Sequence, residues 1–317
     1  MEFLRFLEGL RTPLLDTIFS IITLLGEETL LILVGIIFFW CINKHEGYYI
    51  LSVGFVGTLV NQFLKLLCRI PRPWVRDPSF TVVESAVEGA TGYSFPSGHT
   101  QAAGGVFGGV ARILKRRAVT ILCIVLFVLV AFSRMYLGVH TPLDVLVSTG
   151  VALLLVLGAY PLVHRAMKTH KGTLVFFAVM LGISLAYLLF VLLFPFPADI
   201  DVGNYESGLK NAYKILGCTL GLLIAYLVDW KYIRFETKAA PAVQVLKVVL
   251  GLIPVLVVKE LLRKPIELVC GEMIGSGVRY LLLAVVAGAV WPMAFPYLSR
   301  IVEHLKAKRE AKRAGKS

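Results

Sequence analysis

The chain has 317 residues, 57% of them hydrophobic and only 16% charged, with a mean hydropathy of +0.79 and a formal net charge of +12. A soluble domain carries about a quarter charged residues, so the composition excludes an ordinary soluble enzyme and points to an all-α, polytopic membrane bundle. The positive charge lies in short blocks between apolar runs, such as "ARILKRR" (Ala111–Arg117), "HRAMKTHK" (His164–Lys171) and the tail from His304; this is a topology signal, and no nucleic-acid partner is expected.

Residues 1–25 are amphipathic, interrupted by Glu2, Arg5, Glu8, Arg11 and Asp16, and read as an interfacial helix. They lack a basic region followed by a cleavage site, so no removable signal peptide is expected. About nine transmembrane helices follow, at 27–43, 48–67, 99–115, 118–134, 142–163, 173–195, 208–229, 241–259 and 277–297. The basic loops favour an N-terminus outside and a C-terminus inside. Lys65, Arg69, Arg72, Arg76 and Arg134 fall at the outer face against that bias, and an anionic ligand is the ready reason for cations kept there. Trp74, Tyr93 and Tyr136 read as members of the interfacial aromatic belt. Of five cysteines, Cys41, Cys123 and Cys218 lie in apolar runs as small packing residues, whereas Cys68 and Cys270 fall near segment ends, where pairing is an alternative. The chain divides into a motif-bearing front part, 1–165, and further spans with a basic cytoplasmic tail, 166–317, within one continuous membrane domain.

Three clusters share the outer side. "KLLCRIPRP" brings Lys65 and Arg72; "PSGH" brings Ser97, Gly98 and His99; "SRMYLGVHTPLD" brings Ser133, Arg134, His140 and Asp144. Three cations suit a doubly charged phosphate. Ser97 is a helix N-cap and Gly98 lets backbone approach closely, so free N–H groups there can bind phosphate. His99 and His140 are the titratable pair that phosphoryl transfer needs, one as nucleophile and the other as general acid. Asp144, four residues after His140, can fix its tautomer. It is also the N3 position of a helix begun by Thr141 and Pro142, and the two roles compete for its oxygens. No acidic or histidine cluster resembles a metal cage, so neither a metal nor any other cofactor is expected.

Lys65-x6-Arg72-Pro73, Pro96-Ser97-Gly98-His99 and Ser133-Arg134-x5-His140-x3-Asp144 resemble, without a departure, the three-part signature of the type 2 phosphatidic acid phosphatase (PAP2) superfamily. The resemblance runs from Gly26 to Arg165. It implies a PAP2-like helical core in the N-terminal half and metal-independent hydrolysis of phosphate esters through a phosphohistidine. It further implies His140 as nucleophile, Asp144 as its orienting partner, His99 as acid, and Lys65, Arg72, Ser97, Gly98 and Arg134 as the phosphate cradle. The expected substrate is a phosphorylated lipid, phosphatidic acid-like or a prenyl diphosphate. Two alternatives stay open: a phosphatase for a soluble sugar phosphate, like glucose-6-phosphatase, and a catalytically silent lipid-binding or transport protein. Residues 166–317 carry no motif. Their charged segment Lys259–Arg279 reads as a solvated loop with internal ion pairs, with a lid over the site as the alternative.

Overall fold

The computed structural model describes residues 1–314; the last three residues of the basic tail, 315–317, lie outside the described residues. Two short helices open the chain, α1 (Glu2–Gly9) and α2 (Pro13–Thr23), followed by α3 (Glu28–Ile37), which continues to Ile42, and α4 (Lys44–Cys68). A single turn, α5 (Pro73–Arg76), stands in the long loop before α6 (Gly98–Leu114), α7 (Arg117–Tyr136) and α8 (Pro142–Ala166). The second half contains α9 (His170–Leu193), α10 (Val202–Val228), α11 (Pro241–Leu256), α12 (Arg263–Cys270), α13 (Glu272–Val285) and α14 (Phe295–Ala314). No strand occurs among the described residues.

Seven helices are long and apolar enough to cross a membrane, and the pair Pro13–Gly26 and Glu28–Ile42, bent by 48°, makes an eighth as a broken span. The N-terminal 25 residues are therefore not one interfacial helix. Thr12 caps a fresh start at Pro13 by accepting from the Leu15 N–H, so the amphipathic α1 ends and α2 runs on into α3. The ninth expected crossing, α6, has 17 residues, which at about 1.5 Å each span roughly 25 Å, the short end of what crosses a ~30 Å hydrocarbon core. Its glycine-rich sequence lets α4, α7 and α8 close around it, so α6 is the central post of the front bundle. All five cysteines are free; the alternative pairing of Cys68 with Cys270 is not formed.

The back half is held by backbone-close packing of α10 on α13. A Cβ added at Gly217 would stand 2.0 Å from the Gly277 carbonyl oxygen, and one at Gly221 2.5 Å from that of Leu281. Small residues at such a crossing replace the hydrophobic drive that lipid does not supply. α10 in turn packs on α4, with Leu66 filling the space over Gly208. The two halves thus meet beside Lys65.

Candidate active site

Local sequence explains how the loops between α4 and α8 reach the bundle. Gly138, at φ +81°, permits the tight turn after α7 in which the N–H groups of Val139 and His140 both donate to the Arg134 carbonyl at 3.2 Å. That turn drops His140 into the protein, 2% exposed. α1 straps the preceding loop from outside. Arg5 meets Asp77 at 2.7 Å, Glu8 accepts from the Thr81 N–H at 2.8 Å, and Arg11 donates to the Thr81 carbonyl at 2.8 Å and to that of Tyr136 at 3.1 Å. Tyr136 and Tyr93 are buried, at 2% and 7% exposed, so neither is a belt residue. The Tyr136 hydroxyl donates to Asp16, and the Tyr93 carbonyl accepts from Lys65.

Arg72 is fixed by backbone carbonyls. Its Nε donates to Gly92 at 3.1 Å, Nη2 to Thr91 at 2.8 Å, and Nη1 to Val139 at 3.0 Å. The same Nη1 lies 3.0 Å from Nε2 of His140. A guanidinium can only donate, so Nε2 is the acceptor and the imidazole proton sits on Nδ1. Nδ1 faces Oδ2 of Asp144 at 3.4 Å. That distance is long because Oδ2 also accepts from Ser94 Oγ at 2.6 Å and from the Thr141 N–H at 2.8 Å. The competition between helix capping and histidine orientation is real, and one oxygen serves both: the Thr141–Asp144 capping box is complete. His140 lies in the connection between α7 and α8, outside both helices. Burial first, and then the charge of Arg72, hold its pKa below the ordinary histidine value, so the ring is neutral near pH 7.

Arg134, 1% exposed, donates one Nη1 hydrogen bond to Thr23 at 2.6 Å, while its Nε and Nη2 have no partner among the described residues. Buried donors left in that state are unusual and mark a place for an anion. Lys65, Arg72, Gly98, His99, Arg134 and His140 all line one cavity of about 450 Å³. Ser97 and Asp144 stand behind it. The Ser97 hydroxyl accepts from Thr100 Oγ1 at 3.0 Å and caps α6, and the Ser97 carbonyl accepts from Ser148 Oγ at 2.8 Å. Ser97 thus organises the helix end, and its hydroxyl hydrogen is not used by the cap. Arg69 and Arg76 are outside it, Arg69 ending α4 in a left-handed turn.

Several contributors escaped the sequence. Ser94 and Thr23 hold Asp144 and Arg134, and neither belongs to a recognisable spacing. The cavity also takes Glu27 and Glu28 at the start of α3 and, from the back half, Ser207, Lys210, Asn211, Lys214 and Lys259. A polar residue every three to four positions along α10 was the available signal. Within the charged segment Lys259–Arg279, only Lys259 reaches the cavity. Arg263 is exposed and pairs with Glu267 at 3.1 Å along α12.

The fold and this cavity define a multi-pass helical membrane protein whose half-buried and buried histidines share a cationic pocket. The sequence pattern described as "PAP2 superfamily" matches residues 46–168, and that of "PAP2 superfamily phosphatase, transmembrane extension" matches 213–301. The chain is 33% identical over 159 residues to phosphatidylglycerophosphatase B of Bacillus subtilis, covering 46% of this chain and 74% of that protein. It is 31% identical over 113 residues to undecaprenyl-diphosphatase BcrC of the same organism, covering 36% of this chain and 55% of that one. Identity to a probable sphingosine-1-phosphate phosphatase of Dictyostelium discoideum is 29% over 160 residues, 46% of this chain and 38% of that protein. No solved structure matches. The chain belongs to the PAP2 superfamily.

Proposed function

We propose that the protein is an integral-membrane phosphatase that hydrolyses a phosphate ester or diphosphate of a lipid through a phosphohistidine, on the extracytoplasmic face of a bacterial cell membrane. The observation that carries this reading is the pair Arg72 Nη1 and His140 Nε2, 3.0 Å apart beside the unpartnered donors of Arg134. It supplies a neutral nucleophilic nitrogen next to charges that neutralise the phosphoryl oxygens.

In the first step, Nε2 attacks phosphorus while the P–O bond to the leaving group breaks, and His99, which takes up a proton when the phosphate dianion offsets the charges of Lys65, Arg72 and Arg134, gives that proton to the departing oxygen. The Nδ1 proton stays on His140, facing Asp144. In the second step His99 takes a proton from water, whose oxygen attacks the phosphohistidine, breaking the P–N bond and releasing phosphate. Lys65, Arg72 and Arg134 hold the phosphoryl oxygens throughout, with the start of α6 at Gly98 assisting. Three fixed cations fill the electrophilic role that a divalent metal plays elsewhere, so the reaction is metal-independent.

The relatives named for lipid phosphates favour a lipid over a soluble sugar phosphate. The test is phosphate release in detergent from a panel of lipid and soluble phosphates, by wild type and by His140→Ala. Release from lipids alone supports the reading. Release from sugar phosphates alone replaces it, and release from none, with tight lipid binding, favours the silent alternative.

A further inference from the structure

α10 is a membrane-length helix, yet Ser207, Lys210, Asn211 and Lys214 are spaced i, i+3, i+4 and i+7, so they lie on one face. All four line the cavity that holds His99 and His140. Lysine in a spanning helix is tolerated where it faces a polar interior and marks a functional path. The stripe begins where the phosphate cradle ends: a Cβ on Gly92 would stand 3.6 Å from Cδ of Lys65 and 3.8 Å from Oγ of Ser207. Seven residues of helix carry the stripe about 10 Å further along the cavity wall.

The charges on this wall differ in how they are occupied. Lys210 pairs with Glu272, itself 59% exposed, and Lys259 donates to Thr29 Oγ1 at 2.6 Å and pairs with Glu260 at 3.4 Å. Lys214 has neither a hydrogen bond nor an ion pair among the described residues; the Tyr280 ring centroid lies 5.2 Å from its Nζ. Glu27 and Glu28 also line the cavity, against six lysines and arginines. A single transferred phosphoryl group, held by Lys65, Arg72 and Arg134, leaves Lys214 as the back-half lysine of this wall with no ion pair among the described residues.

We infer that the α10 stripe, anchored by Lys214, is a second anion subsite that receives another phosphate-class group on the polar head of the substrate. The inference rests on the phosphatase reading above and deepens it: the transmembrane extension supplies specificity, and the preferred substrate carries two phosphate groups. These are either joined directly, as in a diphosphate, or spaced along one head.

The experiment reads binding without turnover. Thermal unfolding of the full chain in detergent is followed with orthophosphate, inorganic pyrophosphate or propane-1,3-diol bisphosphate, for wild type, Lys214→Met and Lys214→Arg. A ligand bound to the folded state raises the melting temperature with its concentration relative to its Kd. At least one two-phosphate probe is expected to bind wild type about tenfold more tightly than orthophosphate does. Lys214→Met should erase that excess while keeping the orthophosphate shift, and Lys214→Arg should restore it. Pyrophosphate and the propanediol probe separate the direct and spaced arrangements. No excess in wild type, or an excess that survives Lys214→Met, overturns the subsite. A missing orthophosphate shift in wild type strikes instead at the phosphate cradle and the phosphatase reading.

Discussion

Nη1 of Arg72 and Nε2 of His140 stand 3.0 Å apart, and only one of them can be the donor. That relationship sets the tautomer of the ring, engages the Nε2 lone pair until a phosphoryl group draws the Arg72 N–H onto its oxygens, and places a permanent charge beside the point of attack. Replacement of His140 by Ala is therefore expected to reduce turnover to background. In wild type, brief incubation with labelled substrate and an alkaline quench should trap an acid-labile phosphoenzyme. Turnover retained by the Ala variant would contradict the nucleophile assignment.

His99 lines the same cavity from the first turn of α6. As the acid, it matters in proportion to how poorly the leaving oxygen carries negative charge. His99→Ala should slow a lipid alkyl phosphate by roughly 10²–10⁴-fold and an activated aryl phosphate far less. Equal losses on the two substrates would place His99 in phosphate binding only.

Ser94 is a positioning residue, acting on His140 through Asp144. Its 2.6 Å hydrogen bond reaches a carboxylate oxygen that also serves Thr141 and His140. Hydrogen bonds to charged groups contribute about 1.5–3 kcal/mol, but water and the Thr141 N–H can compensate in part. Ser94→Ala is expected to lower kcat about tenfold with KM nearly unchanged, and Ser94→Thr to recover much of it. A change confined to KM would show that Ser94 acts on substrate binding instead.

Much of this site was legible because its residue types are costly in a membrane. Lys65, Arg72 and Arg134 stood out as outer-face cations, and all three line the cavity. Ser97 is legible as a helix cap, and the cap occupies its hydroxyl as an acceptor only. Ser94 and Thr23 were not legible, since a lone hydroxyl residue has no spacing that says which buried charge it holds. The back half hid its part for another reason. Lys210 and Lys214 lie inside an apolar run that reads as a span, and only the packing of α10 on α4 brings them to the cavity. The segment Lys259–Arg279 is conspicuous for its charge density, but Arg263 pairs with Glu267 on the surface. The bent pair α2 and α3 was also missed, because the acidic and basic residues of the first turns outweighed the apolar run from Leu14 to Leu25.

Activity is expected to survive EDTA, because the phosphoryl oxygens are assigned to lysine and arginine. Vanadate should inhibit competitively by taking a five-coordinate form in the same cradle. Loss of activity on chelation, restored by Mg²⁺, would overturn the metal-independent mechanism.

The last prediction concerns the crossing that brings the back half to the site. At Gly217 an added Cβ would meet a backbone oxygen of α13 at 2.0 Å, whereas at Gly182 on α9 it would meet nothing within 4 Å. Backbone cannot yield as a side-chain tip can, so α10 and α13 must separate to admit even one methyl group. Overpacking of this kind costs roughly 1–3 kcal/mol, while Gly→Ala at an open helical position gains about 0.5–1 kcal/mol. Gly217→Ala should lower the melting temperature in detergent, and Gly182→Ala should leave it unchanged or raise it. Because α10 carries Ser207, Lys210, Asn211 and Lys214 to the cavity, Gly217→Ala should also alter the choice between substrates more than it alters hydrolysis of a small aryl phosphate. Equal melting temperatures for the two variants would show that the close approach of α10 and α13 does not hold the bundle together.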